Sequence, residues 1–312
     1  MNMTMTLDRV GFLRGALACV GALAAGGCRF FTGRGRRLAL NPSTIREFRL
    51  PLVEQVRLAA AAGWDGLEPW MKDLHAAKAD GSLAEAVSVA RGEGLSFVNG
   101  IAFGQWASSD GRVRAAGLEE AKRDMALLAE IGCPTVAASM FGMQKPGAFL
   151  LTTDEIAGRY AEVLDLGRRM GVRPLLEYWG HSVNLNTPEQ ALEVLRCLNR
   201  PDAAVLPDVY HTYRGGGDFA TLAKFTASEM PVLHVNDYPL SKPRSALVDA
   251  DRVWPGDGGA DWVQIFAALD ASGANPWLSL ELFNLSYQTT TPGRTVRTGL
   301  AKTRSISERY GR

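Results

Sequence analysis

Cysteine is scarce in this chain. Its 312 residues include four, Cys19, Cys28, Cys133 and Cys197, and no two of them have CxxC spacing. This number and spacing exclude a disulfide framework and give no sign of a redox motif. We expect Cys133 and Cys197, which lie in the body of the chain, to be small core residues.

An excess of charge of either sign is also absent. The 34 Lys and Arg residues balance the 33 Asp and Glu residues, and the formal net charge is +1 at pH 7. Nucleic acids and acidic membrane surfaces are bound through a strong positive field, which this composition does not supply. We therefore expect a small neutral or weakly charged ligand and no nucleic-acid partner.

No apolar run is long enough to span a membrane. Residues 1–30 instead combine Arg9 and Arg14 with a short apolar core, which is the pattern of an export signal. The order DRVGFLRGALA resembles a twin-arginine signal with Val10 in place of the second arginine. The sequence AGGC, which ends at Cys28, resembles a lipoprotein box and would give a lipid anchor there. We predict an exported protein, periplasmic or extracellular, with a buried N-terminal helix as the alternative.

From residue 36 onward, short apolar runs alternate with longer stretches that have helical apolar spacing. The candidate strands are RLALNPS, DGLEPW, LSFVNGIAF, TVAASMF, RPLLEYW, AAVLPDVY, PVLHVND and WLSLELFN. The candidate helices are PLVEQVRLAAAAG, SLAEAVSVARGEG, LEEAKRDMALLAEIG, TDEIAGRYAEVLDLGRRMG, TPEQALEVLRCLN and WVQIFAALDASG. Strands and helices that alternate over roughly 275 residues match the size of a TIM barrel. We predict an α/β protein with a single (β/α)8 barrel over residues 36–312.

An open, doubly wound sheet is the main alternative architecture. A nucleotide-binding sheet of that kind carries G-x-G-x-x-G after its first strand, and no such motif follows the first candidate strand here. The barrel is therefore the preferred fold.

Ionisable residues occur in four consecutive candidate strands. Glu177 ends the fifth, Asp208 ends the sixth, His234 lies in the seventh and Glu281 lies in the eighth. Functional side chains of a TIM barrel converge at the carboxyl ends of its strands. Three carboxylates brought together would repel one another, and a divalent cation held by carboxylate oxygens and one imidazole removes that repulsion. Any one of these residues alone would rather cap a helix or pair in the core, but four in register indicate a metal site.

Several stretches resemble the sugar phosphate isomerase/epimerase family of xylose isomerase-like TIM barrels, which includes the ketose 3-epimerases. These stretches are EYWGHSVNLNTPEQAL, DVYHTYRGGGD, HVNDYP, DRVWPGDGGADW and SLELFN, and the resemblance covers the whole chain after the export segment. It implies one bound divalent metal ion, Mn, Co or Mg with Zn as an alternative. The implied metal ligands are Glu177, Asp208, His234 and Glu281.

The same resemblance implies that His211 contacts substrate hydroxyls and that Arg252, ahead of the PGDG turn, orients the substrate. The sequence departs from the epimerases here, because an insertion, YPLSKPRSALVDAD, separates His234 from Arg252. The size and shape of the substrate therefore stay open. Glu68 in DGLEPW resembles a glutamate of the family's sugar pocket, and a structural salt bridge is the alternative for it.

Aromatic rings that follow strands are candidates for stacking on a sugar face or for core packing: Trp70, Trp106 and Trp179. His181 is a candidate for the mouth of the barrel or for a solvated loop, and His75 is expected at the surface. Asp237 is a candidate partner for His234, since metal-binding histidines usually need one.

The predicted activity is that of a sugar isomerase or epimerase acting on a keto sugar or a related polyol. Glu177 and Glu281 are predicted to be the acid/base pair, one removing a carbon-bound proton to give an enediolate and the other returning it. If a β-substituent leaves instead, the outcome is elimination. A lyase or dehydratase acting on an oxidised 3-keto sugar, glycoside or inosose is therefore the alternative.

Two other classes fit less well. Endonuclease IV-like nucleases share the barrel but need a histidine-rich multi-metal site and a basic DNA-binding face, and this chain has four histidines. The fold alone would be no evidence of activity, so a non-catalytic sugar-binding barrel is also an alternative. The intact set of four candidate ligands argues against it. A homo-oligomer is compatible with all of these interpretations.

Overall fold

The computed structural model describes residues 35–311, and the predicted export segment, residues 1–30, lies outside this range. Each of the eight candidate strands contains an observed one. They are β1 (Leu38–Leu40), β2 (Gly66–Leu67), β3 (Ser96–Phe97), β4 (Thr135–Ser139), β5 (Arg173–Glu177), β6 (Val205–Leu206), β7 (Val232–Val235) and β8 (Trp277–Leu280). The strands are shorter than the apolar runs that predict them, because their ends continue into the loops that carry the polar residues.

All the strand pairs are parallel, and together they close a cylinder. One run has the order β3-β2-β1-β8-β7 and another the order β4-β5-β6. Single bridges complete the ring: Gly100 with Val136 between the β3 and β4 segments, and Asp208 with His234 between the β6 and β7 segments. Since helices follow the strands around the ring, the fold is a (β/α)8 TIM barrel, and the predicted fold class is confirmed.

The helices of the described range are α1 (Leu52–Ala62), α2 (Met71–Asp80), α3 (Leu83–Gly92), α4 (Gly111–Glu130), α5 (Thr153–Met170), α6 (Pro188–Leu198), α7 (Val209–Gly215), α8 (Trp262–Ser272) and α9 (Pro292–Tyr310). All six candidate helices are present. Helices α2, α7 and α9 had not been predicted. Helix α9 has few large apolar residues and packs instead through Gly299, where an added Cβ would lie 2.5 Å from Leu280. No helix among residues 35–311 is long and apolar enough to cross a bilayer.

The inside of the barrel is divided into an apolar and a polar level. The apolar level is a cluster of buried side chains: Ile101, Ala137, Leu175, Ala204, Leu206 and Val232. Successive residues of a strand point to opposite faces, so positions two apart share a face. On three strands an ionisable residue follows a residue of this cluster by two positions: Glu177 follows Leu175, Asp208 follows Leu206 and His234 follows Val232. The ionisable residues therefore lie directly above the apolar level, toward the carboxyl ends of the strands.

The two cysteines within the described residues differ. Cys133 is buried, as expected, but Cys197 on α6 is exposed, so that expectation was wrong. The buried face of α6 is formed by Ala191, Val194 and Leu195. Cys197 lies outside this face, and its Sγ is 3.1 Å from Asp154 on α5.

Candidate active site

Three of the predicted metal ligands form a compact cluster at the carboxyl ends of the strands. Asp208, His234 and Glu281 each place one ligand atom within 4.8 Å of the other two, and all three side chains are buried. Glu177 lies beside this group, with its Oε1 3.8 Å from His234 Nδ1. The four residues predicted from strand ends therefore surround one point.

That point lies next to an imidazole nitrogen without a hydrogen-bond partner. His234 Nδ1 is buried and accepts or donates no hydrogen bond, while Glu281 Oε2 and Asp208 Oδ2 lie 3.4 and 3.6 Å from it. Burial lowers the pKa of His234, but the charges of Glu68 and Glu281 outweigh burial and raise it well above its usual value. The same negative field favours a divalent cation. An unpaired imidazole nitrogen facing three carboxylates is a donor set that suits Mn²⁺, Co²⁺, Mg²⁺ or Zn²⁺.

The other nitrogen of this imidazole is held by Glu68. Glu68 Oε1 is 2.9 Å from His234 Nε2 and accepts a hydrogen bond from Asn99 at 2.7 Å, while Oε2 accepts hydrogen bonds from Asn41 and Ser279. With every oxygen engaged and the side chain fully buried, Glu68 positions His234, which favours the structural alternative over contact with a sugar. This arrangement of carboxylate and histidine is the support that metal-binding histidines usually have.

Asp237, expected in that supporting role, lies elsewhere. Its carboxylate accepts hydrogen bonds from the backbone nitrogens of Gly256 and Ala260 and from Trp262 Nε1. The expectation was wrong because Asp237 and His234, three residues apart on β7 and its loop, point to opposite faces. Asp237 instead shapes the loop between Arg252 and α8.

Asp208 has two structural tasks besides facing His234. Its Oδ1 accepts a hydrogen bond from the backbone nitrogen of His211 at 2.8 Å and so caps the N-terminus of α7. Its Oδ2 accepts one from Arg252 Nη1 at 2.9 Å. Burial raises the pKa of Asp208, but the adjacent Arg252 more than offsets this and holds it well below its usual range. Asp208 is therefore ionised at physiological pH.

Glu177 is held in a different electrostatic state. Burial raises its pKa to about 8, with a further contribution from the charge of Glu281 and an opposing one from His234. A carboxyl group with a pKa near neutrality can both take up and release a proton at physiological pH. This matches the predicted acid/base role of Glu177.

Arg252 lies inside the site and is 1% exposed. Its Nη1 donates to Asp208 Oδ2 and to Glu281 Oε2, both at 2.9 Å. These are the same two oxygens that face His234 Nδ1. The guanidinium also lies over the rings of Tyr210 and Phe283, at 4.5 and 5.0 Å from their centres. Arg252 is therefore in contact with the ligand cluster itself, a position that the sequence did not indicate.

His211, the predicted substrate contact, is oriented by a close approach of two loops. The backbone nitrogen of Gly180 donates to His211 Nδ1 at 3.2 Å, and His211 Nε2 lies 3.0 Å from Arg252 Nη2. Gly180 is required for this approach, since an added Cβ would lie 2.5 Å from the carbonyl oxygen of His211. Burial lowers the pKa of His211 to about 4. His211 is therefore a neutral imidazole at physiological pH.

Four aromatic side chains pack against one another near the cluster, in tilted or T-shaped pairs: Trp70, Phe103, Phe141 and Trp179. His181 is exposed and stacks on Trp179, with the two ring centres 5.6 Å apart. The ring centre of His181 also lies 5.8 Å from that of His211. Trp106 is instead a core residue that packs on Tyr160. His75 is at the surface, as expected, and contacts Asp124.

Two asparagines that sequence reasoning missed connect the site. Asn41, after β1, donates to Glu68 and to Glu281 Oε1 and accepts from Trp70 Nε1 at 2.8 Å. Asn236, after β7, donates to Asp208 Oδ2 at 3.1 Å. Each amide directly follows an apolar strand, and this was the signal available in the sequence.

The family follows from this fold and from a direct comparison. Residues 56–306 match the family model for the xylose isomerase-like TIM barrel. Since the match covers most of the chain, the protein belongs to this family, and the predicted resemblance is confirmed. A crystal structure of the IOLI protein with a zinc atom has the same fold, with a TM-score of 0.80 and 24% identity over 88% of this chain and 99% of that one.

Three curated relatives are enzymes. An inosose isomerase from Bacillus velezensis is 31% identical over 50% of this chain and 58% of its own length. A 3-dehydroshikimate dehydratase from Pseudomonas aeruginosa is 29% identical over 76% of this chain and 37% of the relative. A ketose 3-epimerase from Arthrobacter globiformis is 28% identical over 72% of this chain and 80% of the relative. The chain thus spans little more than half the length of the inosose isomerase that it matches.

Proposed function

We propose that this protein is a divalent-metal-dependent isomerase or epimerase acting on a keto sugar or a related polyol. The observation that carries the proposal is the unpaired Nδ1 of His234, which faces carboxylate oxygens of Glu177, Asp208 and Glu281 at 3.4 to 3.8 Å. The isomerase and epimerase among the relatives support this class of reaction.

Asp208, His234, Glu281 and Glu177 would hold the cation. A cation at this point supplies Lewis acidity toward a hydroxyl and the neighbouring carbonyl of a sugar. The proton on the carbon between those groups is then acidic enough for a carboxylate to remove. Glu68 and Asn41 keep the ligand side chains in place for this step.

Glu177 and Glu281 are the acid/base pair in this proposal. They approach His234 from different strands, so they can act on two faces of one carbon, one removing the proton and the other returning it. His211 is neutral and lies beside Arg252, so the two groups can contact substrate oxygens from the same side. Return of the proton to the same carbon gives an epimer, and return to the neighbouring carbon gives an isomer.

A lyase or dehydratase acting on an oxidised sugar, glycoside or inosose is the second candidate. It is favoured by the similarity to 3-dehydroshikimate dehydratase, which extends over 76% of this chain. Proton removal by the same carboxylates precedes either outcome. Elimination requires in addition a β-substituent that departs, and the products separate the two candidates.

The proposed activity is tested by incubating the protein and Mn²⁺ with keto sugars and inososes in D2O. Deuterium incorporation at the carbon next to the carbonyl, followed by NMR, supports proton transfer. The epimerase or isomerase proposal requires a product of unchanged mass apart from deuterium, whereas loss of water establishes the second candidate. No exchange with any substrate, in protein that binds the metal, would contradict both.

We also propose, from the sequence of residues 1–30, that the protein works outside the cytoplasm. Fractionation of cells that produce the full chain tests this. Protein retained in the cytoplasm with residues 1–30 still attached would contradict it.

A further inference from the structure

The segment between His234 and Arg252, which the sequence predicts to be an insertion, contributes a side chain to the site. We call residues 238–251 the insertion segment. It ends in a short turn, Asp249–Asp251, immediately before Arg252. Asp249 Oδ1 accepts a hydrogen bond from Arg252 Nη2 at 2.9 Å. This places a carboxylate from the insertion segment against the buried arginine.

Asp249 and the ligand cluster hold opposite ends of one guanidinium. Nη1 of Arg252 donates to Asp208 and Glu281, and Nη2 contacts Asp249 and His211. Among the described residues, Asp249 is the ion-pair partner of Arg252 that does not face His234. Its side chain is 43% exposed, whereas Arg252 is almost completely buried. Asp249 therefore ties the arginine to the rim of the barrel.

The insertion segment is itself anchored, so Asp249 has a defined position. Asp251 pairs with Lys242 and accepts a hydrogen bond from the backbone nitrogen of Val248. Arg214 on α7 donates to the carbonyl oxygen of Leu247 at 3.0 Å. The turn that carries Asp249 is thus fastened both within the segment and to α7.

The position of the guanidinium matters for any cation in the cluster. Its Nη1 contacts the two oxygens that face His234 Nδ1, and a positive charge there repels a divalent ion. A carboxylate on the far side of the guanidinium counteracts this charge and limits how far the group can move toward the cluster. Loss of Asp249 would therefore both add net positive charge and free Arg252 to compete for Asp208 and Glu281.

We propose that Asp249 is a positioning residue that sets the place of Arg252 between the metal-ligand cluster and His211, so that the insertion segment governs both metal retention and substrate placement. The inference rests on the proposed function for its substrate component. Its metal component rests on the same proposal, whereas the placement of Arg252 by Asp249 depends only on the contacts of this chain.

The test compares Asp249→Asn with Asp257→Asn, which removes a comparably exposed carboxylate that pairs with Lys302 on α9 and not with Arg252. Mn²⁺ affinity is measured by equilibrium dialysis, and KM and kcat are measured separately. We expect Asp249→Asn to weaken Mn²⁺ binding about tenfold and to raise KM more than it lowers kcat, with Asp249→Glu restoring most of the affinity. Asp257→Asn should match the unmodified protein. Equal affinity and equal KM in the two Asn variants would overturn the proposal.

A second measurement separates this inference from the proposed function. The NMR signal of the Arg252 Nε–H group, assigned with Arg252→Lys, reports the order of the guanidinium without metal or substrate. We expect it to shift and broaden in Asp249→Asn and to stay unchanged in Asp257→Asn. If the protein proves inactive on every sugar, an affected signal still supports the positioning role, and an unaffected one overturns it.

Discussion

The two levels inside the barrel are built on the same strands but have opposite compositions. Leu175, Leu206 and Val232 close the lower level, and two residues further along the same strands Glu177, Asp208 and His234 form the upper one. The lower level stabilises the fold by removing apolar surface from water. The upper level places carboxylates in an environment where each needs a partner or a cation. Residues two positions apart on the same strand therefore serve different purposes, the lower one stability and the upper one the proposed reaction. Substitutions in the lower level should affect mainly stability, and substitutions in the upper level should affect mainly activity.

The largest effect is expected from the acid/base pair of the upper level. Glu177→Gln and Glu281→Gln should each lower proton exchange by about 10²–10⁴-fold, since each removes a carboxylate that takes up or releases the proton. Glutamine has nearly the same shape as glutamate and carries no charge at this buried position, so the metal-free fold should stay intact in both variants. Deuterium exchange measures the first effect, and urea unfolding measures the second. Full exchange in either variant would remove that residue from the mechanism.

The matching change in the lower level is Leu175→Ala. Leu175 is fully buried, and its truncation should lower the free energy of unfolding by about 2–5 kcal/mol because it leaves a cavity. The number of metal ions bound per chain should be unchanged at low temperature, where the variant is folded. Loss of metal from the folded variant would show that the two levels are not separable.

A smaller effect is expected where one carboxylate acts through another residue. Glu68→Gln removes the charge behind His234 and should weaken metal binding about 10- to 100-fold. Asp237→Asn is the matched control, because the carboxylate of Asp237 faces the loop of residues 256–262 and not His234. Metal titrations of both variants test this. Equal losses of affinity would mean that Glu68 has no specific role toward the imidazole.

The smallest effect is expected outside both levels. Cys197→Ser, at an exposed position on α6, should change the free energy of unfolding by less than about 0.5 kcal/mol. Cys133→Ser, at a buried position, should destabilise the protein measurably more because it places a hydroxyl in the core. Thermal unfolding of the pair measures this difference. A similar loss in both would contradict the assignment of Cys197 to the surface.

Local sequence patterns were sufficient for the strands and for identifying four candidate ligands that the fold brings close together. Apolar runs ending in Glu177 or Asp208 mark both a buried strand and the point where it reaches the mouth of the barrel. Helix α9 was missed because its buried face combines three large apolar residues with small and polar ones: Thr295, Val296, Gly299, Leu300, Thr303, Ile306 and Ser307.

The partners within the site could not be predicted, because they depend on which strands are neighbours. Glu68 reaches His234 across 166 positions of sequence, and Asn41 reaches Glu281 across 240. These contacts exist because the sheet closes with β1 between β2 and β8. Asp237 was the nearest carboxylate to His234 in the sequence, but strand alternation directs it away from the site.

The proposed mechanism requires a cation between His234 and the three carboxylates. Its most direct test is elemental analysis of metal content per chain, for the unmodified protein and for His234→Ala, after reconstitution with Mn²⁺, Co²⁺, Mg²⁺ or Zn²⁺. We predict about one ion per chain in the unmodified protein and none in the variant, with both proteins folded by circular dichroism. No bound metal in the unmodified protein, or the same number of ions per chain in both proteins, would contradict the proposed metal site.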